Sequence, residues 1–554
     1  MDKIDPVKLS LIWESAVSIP QEVANVIGTT GYSDLLREGQ DYSAALFNRE
    51  GELISQGLNT PGHLGSMPYL MKEILRNKFF PLDVWKPSTI VCTNDPYLGA
   101  GHLPDLTMVM PAFVDSYLAG FAAVTIHLVD IGGISPGSIS ANASNIFQEG
   151  LQIPLVKLME NSQLNADLIK IIKQNSRMPE LVEGDINAAI AALFYGARRF
   201  QELVRTYGAR VIERYFEEII QRSENYTREV IGKLPPIEGS FEDHMDDYGR
   251  GTKPIKIKVT VKKEGTDLVF DFTGTDPQVD RAINSTLSYT RAYVITAAKA
   301  FINPDLPQNS GSLRPIKIHA PEGSFVNPKP PAPVAARAMS CHRIFDVLLG
   351  ALHVLFPDKV CGAAGGCEYF SFSGFNTRTQ KRFAATETIY GGLGARVTKD
   401  GINSIAFPNN LANIPIEVLE TRAPYVIERY ELIQDSGGDG KYRGGLGARR
   451  DYRLFGDCRL VYKADRHTSR PWGAVGGKEG VRGKTLLIRN GKEEELHPKD
   501  EYDLKAGDFI SIQTPSGGGS GKPEAREASR IIDDLKNEYI SKEKAETIYR
   551  FEKP

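Results

Sequence analysis

The chain has 554 residues, with 66 Lys and Arg against 69 Asp and Glu, a formal net charge of −3, and 41% hydrophobic and 24% charged residues. That balance is the profile of an ordinary globular protein and gives no reason to expect a nucleic-acid or membrane-surface partner. The length provides for several cores, about three or four domains as a prior, so neither disulfides nor a metal is needed to keep the chain folded.

Taken in chain order, residues 6–27 read as a helix through Leu9, Ile12, Trp13, Val17, Val23 and Val26, with Pro20 expected to kink or interrupt it. The start, from Met1 to Pro6, lacks the basic and apolar stretches of a signal peptide. Segments 44–47 and 52–55, joined by the turn 48–51, form a predicted hairpin. The apolar stretches 106–114 and 117–129 form a second, turning at Asp115-Ser116. Residues 145–234 are mostly helical, best at 186–207 and 209–234, and stop at Pro235-Pro236. A third hairpin covers 255–261 and 268–272, and residues 286–302 and 343–355 read as helices around the proline-rich stretch 328–333. Thereafter the chain is glycine-rich and leans to strand as far as Gln513, and 522–551 is a charged, helical-looking tail suited to a surface or subunit contact.

The pattern predicts an α+β fold, a mixed multi-domain chain rather than a doubly wound sheet. Residues 1–144 are the hairpin-rich metal-site region, 145–236 a helical segment and 237–365 a mixed middle region. Residues 366–520 are a glycine-rich, β-leaning region and 521–554 a helical tail. The apolar stretches 118–126 and 345–356 are too short to span a bilayer. Five widely spaced cysteines argue against a disulfide framework, and the spacing of Cys361 and Cys367 is not that of a structural zinc clip. A reducing, cytoplasmic setting is expected. The 52 glycines gather in short loops, and the sequence GGLGAR occurs at 391–396 and again at 444–449, too few copies for a solenoid. Such loops either close tight turns or bring main chain close to a ligand or another chain.

Several nucleotide and hydrolase motifs are missing: G-x-x-x-x-G-K-[ST], G-x-G-x-x-G after a strand, H-E-x-x-H and G-x-S-x-G. Nucleotide chemistry, if involved, is then expected from another chain. The informative region is 94–105, which runs into the second hairpin and ends at His127-Leu128-Val129-Asp130-Ile131-Gly132-Gly133. An antiparallel turn centred on Ser116 sets Asp105 opposite His127, about 5 Å apart at Cβ. His102, in the glycine loop just before, can fold over the same spot. Two imidazoles and a carboxylate with coordination positions left open commonly hold a catalytic divalent metal, and this donor set suits Mn²⁺, Fe²⁺ or Zn²⁺. Asp130 either accepts a hydrogen bond from a liganding imidazole or binds the metal itself. The alternative is that His102 caps a turn and His127 packs in a core. Asp41, just before a strand, and His63, in a turn, are candidate extra ligands. His63 and His467, the latter near a glycine pair, are candidate substrate contacts, with loop anchoring the competing role for His467. Glu417 and Glu420 read as solvated or salt-bridged carboxylates rather than an acid/base pair.

These motifs resemble the B-subunit family of ATP-dependent hydantoinases, which includes the C-terminal half of 5-oxoprolinase, the caprolactamase B-type chain and the manganese-carrying large chain of acetone carboxylase. The similarity runs nearly the whole chain. It takes in Gln40-Asp41-Tyr42-Ser43, Pro61-Gly62-His63-Leu64-Gly65, Asn94-Asp95-Pro96 through His102 and Asp105, and His127 through Gly133. Further along come Arg177-Met178-Pro179, Asp271-Phe272-Thr273-Gly274-Thr275, Arg443-Gly444-Gly445, Pro471-Trp472-Gly473 and Gly517-Gly518-Gly519. The resemblance implies a metal on His102, Asp105 and His127, with Asp41 as a further ligand. It also implies an A-type partner subunit that binds ATP and phosphorylates the substrate. This chain would then attack the activated carbonyl of a cyclic amide with a metal-activated water, steered by Asp130 or Asp41. In the carboxylase branch the substrate would be a ketone, and the metal would stabilise its enolate for attack on activated bicarbonate. Many hydantoinase-type members have two successive histidines where this chain has His127-Leu128, which weakens the transfer of hydantoin specificity. A third expectation is a non-catalytic scaffold subunit with a structural metal.

Overall fold

The computed structural model describes residues 3–551 apart from 58, 64, 79, 100, 141, 237, 306, 357, 358 and 360. Leu64 and Ala100 of two motifs, Ile237 at the start of the predicted middle region, and the chain's first two and last three residues lie outside this set. Mixed helices and sheets form an α+β architecture, with four sheets of at least four strands among the described residues.

A seven-stranded antiparallel sheet carries the candidate site. Its order is Leu53–Gln56, Tyr42–Asn48, Tyr117–His127, Asp105–Val114, Ile90–Thr93, Val156–Glu160 and Gln163–Leu164. Helices Pro6–Thr30, Pro179–Tyr207 and Ala209–Gly232 cover one face through Ile12, Val23, Ile186, Phe200 and Phe216. The other face takes Met67, Leu70 and Ile74 from helix Ser66–Arg76, packed on Phe47, Val109 and Phe121. Cover on both faces explains why every residue of Tyr42–Asn48 is buried instead of alternating. Residues 145–236, expected as a helical segment, also give this sheet the strand Val156–Glu160, paired with Ile90–Thr93.

The first helix passes through Pro20 without a break and reaches Thr30. Proline at that position frees the carbonyl of Ala16, four residues back. The Ser55 hydroxyl, from a neighbouring strand, donates to that oxygen, so the helix continues.

A second sheet, ordered Ile316–His319, Asp267–Asp271, Ile255–Glu264 and Glu238–Met245, packs on helices Leu287–Ile302 and Arg337–Leu355. The latter begins six residues before the predicted start at 343 and is apolar and long enough to cross a membrane, yet 83% of its apolar window is buried in the protein. The glycine-rich region forms a sandwich. One sheet comprises Lys381–Tyr390, Cys367–Asn376, Cys458–Lys463 and Lys499–Leu504. It faces Tyr425–Leu432, Ala448–Leu454, Phe509–Gln513, Lys484–Arg489 and Lys492–Glu495 across Phe372, Leu460, Tyr452 and Ile510. The two GGLGAR copies lie against each other: Gly445 N–H donates to Leu393 O at 2.8 Å, and Gly517 N–H to Gly445 O at 2.9 Å. Here glycine serves backbone-to-backbone packing, since a Cβ on Gly392 or Gly445 would run into a neighbouring carbonyl. The tail is two short helices, Ala528–Lys536 and Lys542–Thr547, closed over Ile531, Ile540 and Tyr549.

Candidate metal centre

Strands Asp105–Val114 and Tyr117–His127 form the hairpin with Asp105 directly opposite His127. A bulge between Ala112 and Phe113 alters register only toward the turn, so the far end keeps its pairing. Asp105 N–H donates to His102 O at 3.1 Å, closing the tight turn that returns His102 over the strand end. Gly101 in that turn has φ +97°, and a Cβ there would strike the Arg337 guanidinium and the Tyr289 ring.

The three side chains converge. His102 Nε2 lies 2.8 Å from Asp105 Oδ1 and 3.1 Å from His127 Nδ1, which is itself 3.1 Å from the same oxygen. All three residues are buried, and their donor atoms lie within 4.8 Å of one another. Asp41 Oδ2 is 3.7 Å from His127 Nδ1, brought there because strand Tyr42–Asn48 pairs with Tyr117–His127. His63 sits on the other side, Nδ1 2.8 Å from Ser43 Oγ and Nε2 3.7 Å from Asp105 Oδ2.

Proton placement bears on what this cluster can hold. His102 Nδ1 must donate to the Ala335 carbonyl, 2.7 Å away, because a carbonyl only accepts. Burial, reinforced by the Arg337 charge, drives His102 down to about 3, so the ring is neutral and its Nε2 is a lone-pair acceptor. That acceptor faces a carboxylate at hydrogen-bond distance. Acceptor against acceptor is unfavourable unless a cation or proton lies between them, so the donor set fits a divalent metal with nitrogen and oxygen ligands. Burial also opposes charge on His127, but its bond to Asp105 and the Asp41 charge outweigh it and raise the pKa. Burial works against ionised Asp105 too, yet the Arg337 charge and the His127 hydrogen bond hold it well below the usual carboxylate range.

The cluster forms one wall of a cavity of about 90 Å³ between the seven-stranded sheet, the middle helices and the glycine-rich sandwich. Asp41, His63, His102, Asp105 and His127 all line it. Two predicted residues do not. Asp130, expected at an imidazole or on the metal, is fully buried elsewhere. Its oxygens accept from Gly132 N–H, Gly137 N–H, Arg177 N–H and Arg177 Nη1, which pins the glycine loop and leaves the imidazoles alone. His467, a candidate substrate contact, is buried outside the cavity lining, its Nε2 3.2 Å from Glu368 and from Tyr462 Oη. It anchors its loop.

Sequence reasoning missed the partners that arrive from far along the chain. Arg337, 3% exposed, donates Nη2 to Asp105 Oδ2 and stacks on Tyr289 with Cζ 3.8 Å from the ring centre. A cation in the first turn of an apolar helix opposes the helix dipole, and that mismatch was the available signal of an anionic partner. Glu149 accepts from Val334 N–H and Ala335 N–H at 2.7 and 2.8 Å, holding the main chain just before the Ala335 carbonyl that orients His102. Lys463 also lines the cavity, donates to Ile139 O at 2.7 Å, and is pulled by burial down to about 7.

Fold and site together describe a multi-sheet α+β protein built around one His/Asp donor cavity. The family described as Hydantoinase B/oxoprolinase matches residues 5–523, and the chain belongs to it. A Pseudomonas sp. (strain NS671) protein, named as the B-type component of a D-/L-hydantoinase, is 34% identical over 98% of this chain and 95% of its own length. The 5-oxoprolinase of Dictyostelium discoideum is 30% identical over 94% of this chain, which corresponds to only 41% of that longer protein. Among solved structures, the ATP-dependent caprolactamase from Pseudomonas jessenii superposes with TM-score 0.91 at 27% identity, covering 99% of this chain and 96% of that one. Acetone carboxylase, in its nucleotide-free structure, shares the fold at TM-score 0.90 and 17% identity, covering 98% of this chain and 79% of that one.

Proposed function

We propose that this chain is the metal-carrying B-type subunit of an ATP-dependent enzyme that opens cyclic amides. The convergence of His102, Asp105 and His127 in one buried cavity, in a chain of this family, carries the reading. His102, Asp105 and His127, with Asp41 beside them, would hold the ion, which when bound supplies Lewis acidity toward oxygen and makes water acidic enough to act near neutral pH. The protein's own groups prepare that site. Ala335 O fixes the His102 tautomer, and Arg337 occupies Asp105 Oδ2 so that Oδ1 faces the two imidazoles. Asp41, with its side chain 20% exposed, and His63 Nε2 are the groups at the cavity wall suited to take up or return a proton. Tight walls around the cluster restrict access of bulk water.

With the Walker-type loop and dinucleotide fingerprint missing from the chain, ATP belongs to an A-type partner subunit, which would phosphorylate the amide oxygen and hand the activated ring to this cavity. Five free cysteines support a reducing, cytoplasmic setting. The test is to purify the chain with its A-type partner and assay ring opening and ATP turnover with hydantoins, 5-oxoproline and simple lactams. Ring opening that needs both subunits and a divalent ion is expected. Failure with every cyclic amide, alongside bicarbonate consumption with acetone or acetophenone, would move the assignment to the ketone carboxylases.

A further inference from the structure

The cavity has a second charged wall that the chemistry above does not use. Arg450, on strand Ala448–Leu454, and Glu387, on strand Lys381–Tyr390, both line it. Arg450 directly follows the second GGLGAR copy, so the glycine packing that locks that copy in place also sets the arginine's position. The side chain is 2% exposed and makes one ion pair, from Nη1 to Glu387 Oε2 at 2.8 Å. Glu387 is already well satisfied, accepting from Tyr452 Oη at 2.8 Å on Oε2 and from Tyr425 Oη at 2.5 Å on Oε1. The Tyr430 ring covers a face of the guanidinium, its centre 4.1 Å from Cζ.

What remains is the Nε and Nη2 edge, and both nitrogens are buried with no hydrogen-bond partner. Leaving two nitrogens of a buried cation, three N–H donors in all, unpaired is costly, and a protein has little reason to keep them so unless a ligand completes the set. Neutralising Glu387 does not account for them, because Nη1 alone does that. The Nε–H and Nη2–H bonds run parallel along one edge of a plane, the arrangement that grips both oxygens of a carboxylate. Tyr430 covers one face of the guanidinium, and approach in its plane is the one that reaches both unpaired nitrogens.

We propose that the Nε/Nη2 edge of Arg450 is a carboxylate-binding subsite, which selects cyclic amides carrying a carboxylate and presents their ring within the His/Asp cavity. This rests on the reading of the chain as part of a cyclic-amide hydrolase. A phosphoryl group on the activated ring offers the same edge two oxygens, and the comparison of substrates separates the sources. An acid and a neutral lactam of equal ring size would carry the same phosphoryl group and differ only in the carboxylate.

The experiment uses the complete two-subunit complex with 5-oxoproline and 2-pyrrolidinone, in calorimetric binding and in turnover. Wild-type complex is expected to bind the acid at least tenfold more tightly than the neutral lactam. The Arg450→Lys variant keeps a cation for Glu387 but has no parallel edge. Its kcat/KM for the acid is expected to fall about 10- to 100-fold, the worth of a pair of charge-assisted hydrogen bonds. The fall should lie mainly in KM and exceed the loss for the neutral lactam at least tenfold. Equal losses for both substrates, or equal wild-type affinities, would overturn the subsite. If the variant does not fold, the wild-type binding comparison decides alone. If the complex opens neither lactam, the hydrolase reading fails, while preferential binding of the acid would still support the subsite.

Discussion

Replacing Asp105 with asparagine exchanges a buried charge for an amide of the same shape, and its consequences separate electrostatics from packing. The wild-type carboxylate serves three partners at once: His102, His127 and Arg337. Among the described residues, Asp105 is the one acidic partner of Arg337, whose Nε has no hydrogen bond and whose remaining support is the Tyr289 ring. Removing one member of a buried pair costs about 3–5 kcal/mol, because the survivor stays charged and dry. Spread over a cooperative unit of 554 residues, that corresponds to a fall of roughly 3–4 °C in the melting midpoint. The double variant Asp105→Asn with Arg337→Met removes the stranded cation and is expected to recover about half of that loss or more. Metal content follows a different rule. Both variants lose the proposed anionic ligand, so metal per chain, measured by mass spectrometry of the purified complex, should drop at least tenfold in each. Full metal occupancy in Asp105→Asn would refute the ligand assignment, and a double variant less stable than the single one would refute the stranded-charge argument. Chelation of the wild type should leave a folded, inactive chain, since both faces of the seven-stranded sheet are filled with apolar side chains; unfolding on chelation would instead favour a structural metal.

Asp130→Asn should keep wild-type metal content while lowering thermal stability by about 1–3 kcal/mol, because it weakens the loop's anchor to Arg177 and leaves the cavity intact; loss of metal would return Asp130 to the site. Burial raises Glu149 from 4.5 to about 8, so the stability it contributes is full below about pH 4.5 and is lost as pH rises toward 8. Glu149→Gln cannot titrate there, so melting curves at pH 5 and pH 8 should show the variant gaining on wild type at the higher pH; a pH-independent difference contradicts this. Gly445→Ala places a Cβ against the Ile402 carbonyl and should cost several kcal/mol or abolish soluble expression. Gly208→Ala, at φ +86° and ψ 142° with open space around it, meets backbone strain alone and should cost about 1–3 kcal/mol. Equal behaviour of the two would mean that backbone packing at the glycine loops is not what limits them.

The part of the site that the sequence made legible is local. Asp105 and His127 belong to one hairpin whose turn is marked by Asp115, at φ +53°, and Ser116, and His102 is three residues from the strand end. A bulge near the turn displaced pairing there by one residue and spared the end where the imidazole and carboxylate meet. Legibility ends where the chain must return from a distance. Arg337 reaches Asp105 across 232 positions, and Glu149 meets Val334 and Ala335 across 185 and 186. No periodicity or turn chemistry specifies such pairings; they follow from how the middle helices dock on the sheet. The same limit explains Pro20, whose cost to the helix is relieved by a serine 39 residues beyond the freed carbonyl.

Asp130 and His467 show the opposite failure, in which a residue type suited to catalysis is spent on holding a loop. Stretch 130–137 is rich in glycine, leaves N–H groups without strand partners, and so recruits a carboxylate as their common acceptor. His467 likewise closes a loop over Glu368. A sequence offers no way to tell these roles from chemistry by residue type alone, but it does offer an electrostatic test. Asp130 has backbone donors two and seven residues away, whereas Asp105 begins a strand whose backbone groups are occupied by ladder bonds. A buried carboxylate with no local backbone donors must find side-chain partners, and for Asp105 these are His102 close by, His127 across the hairpin and Arg337 at long range.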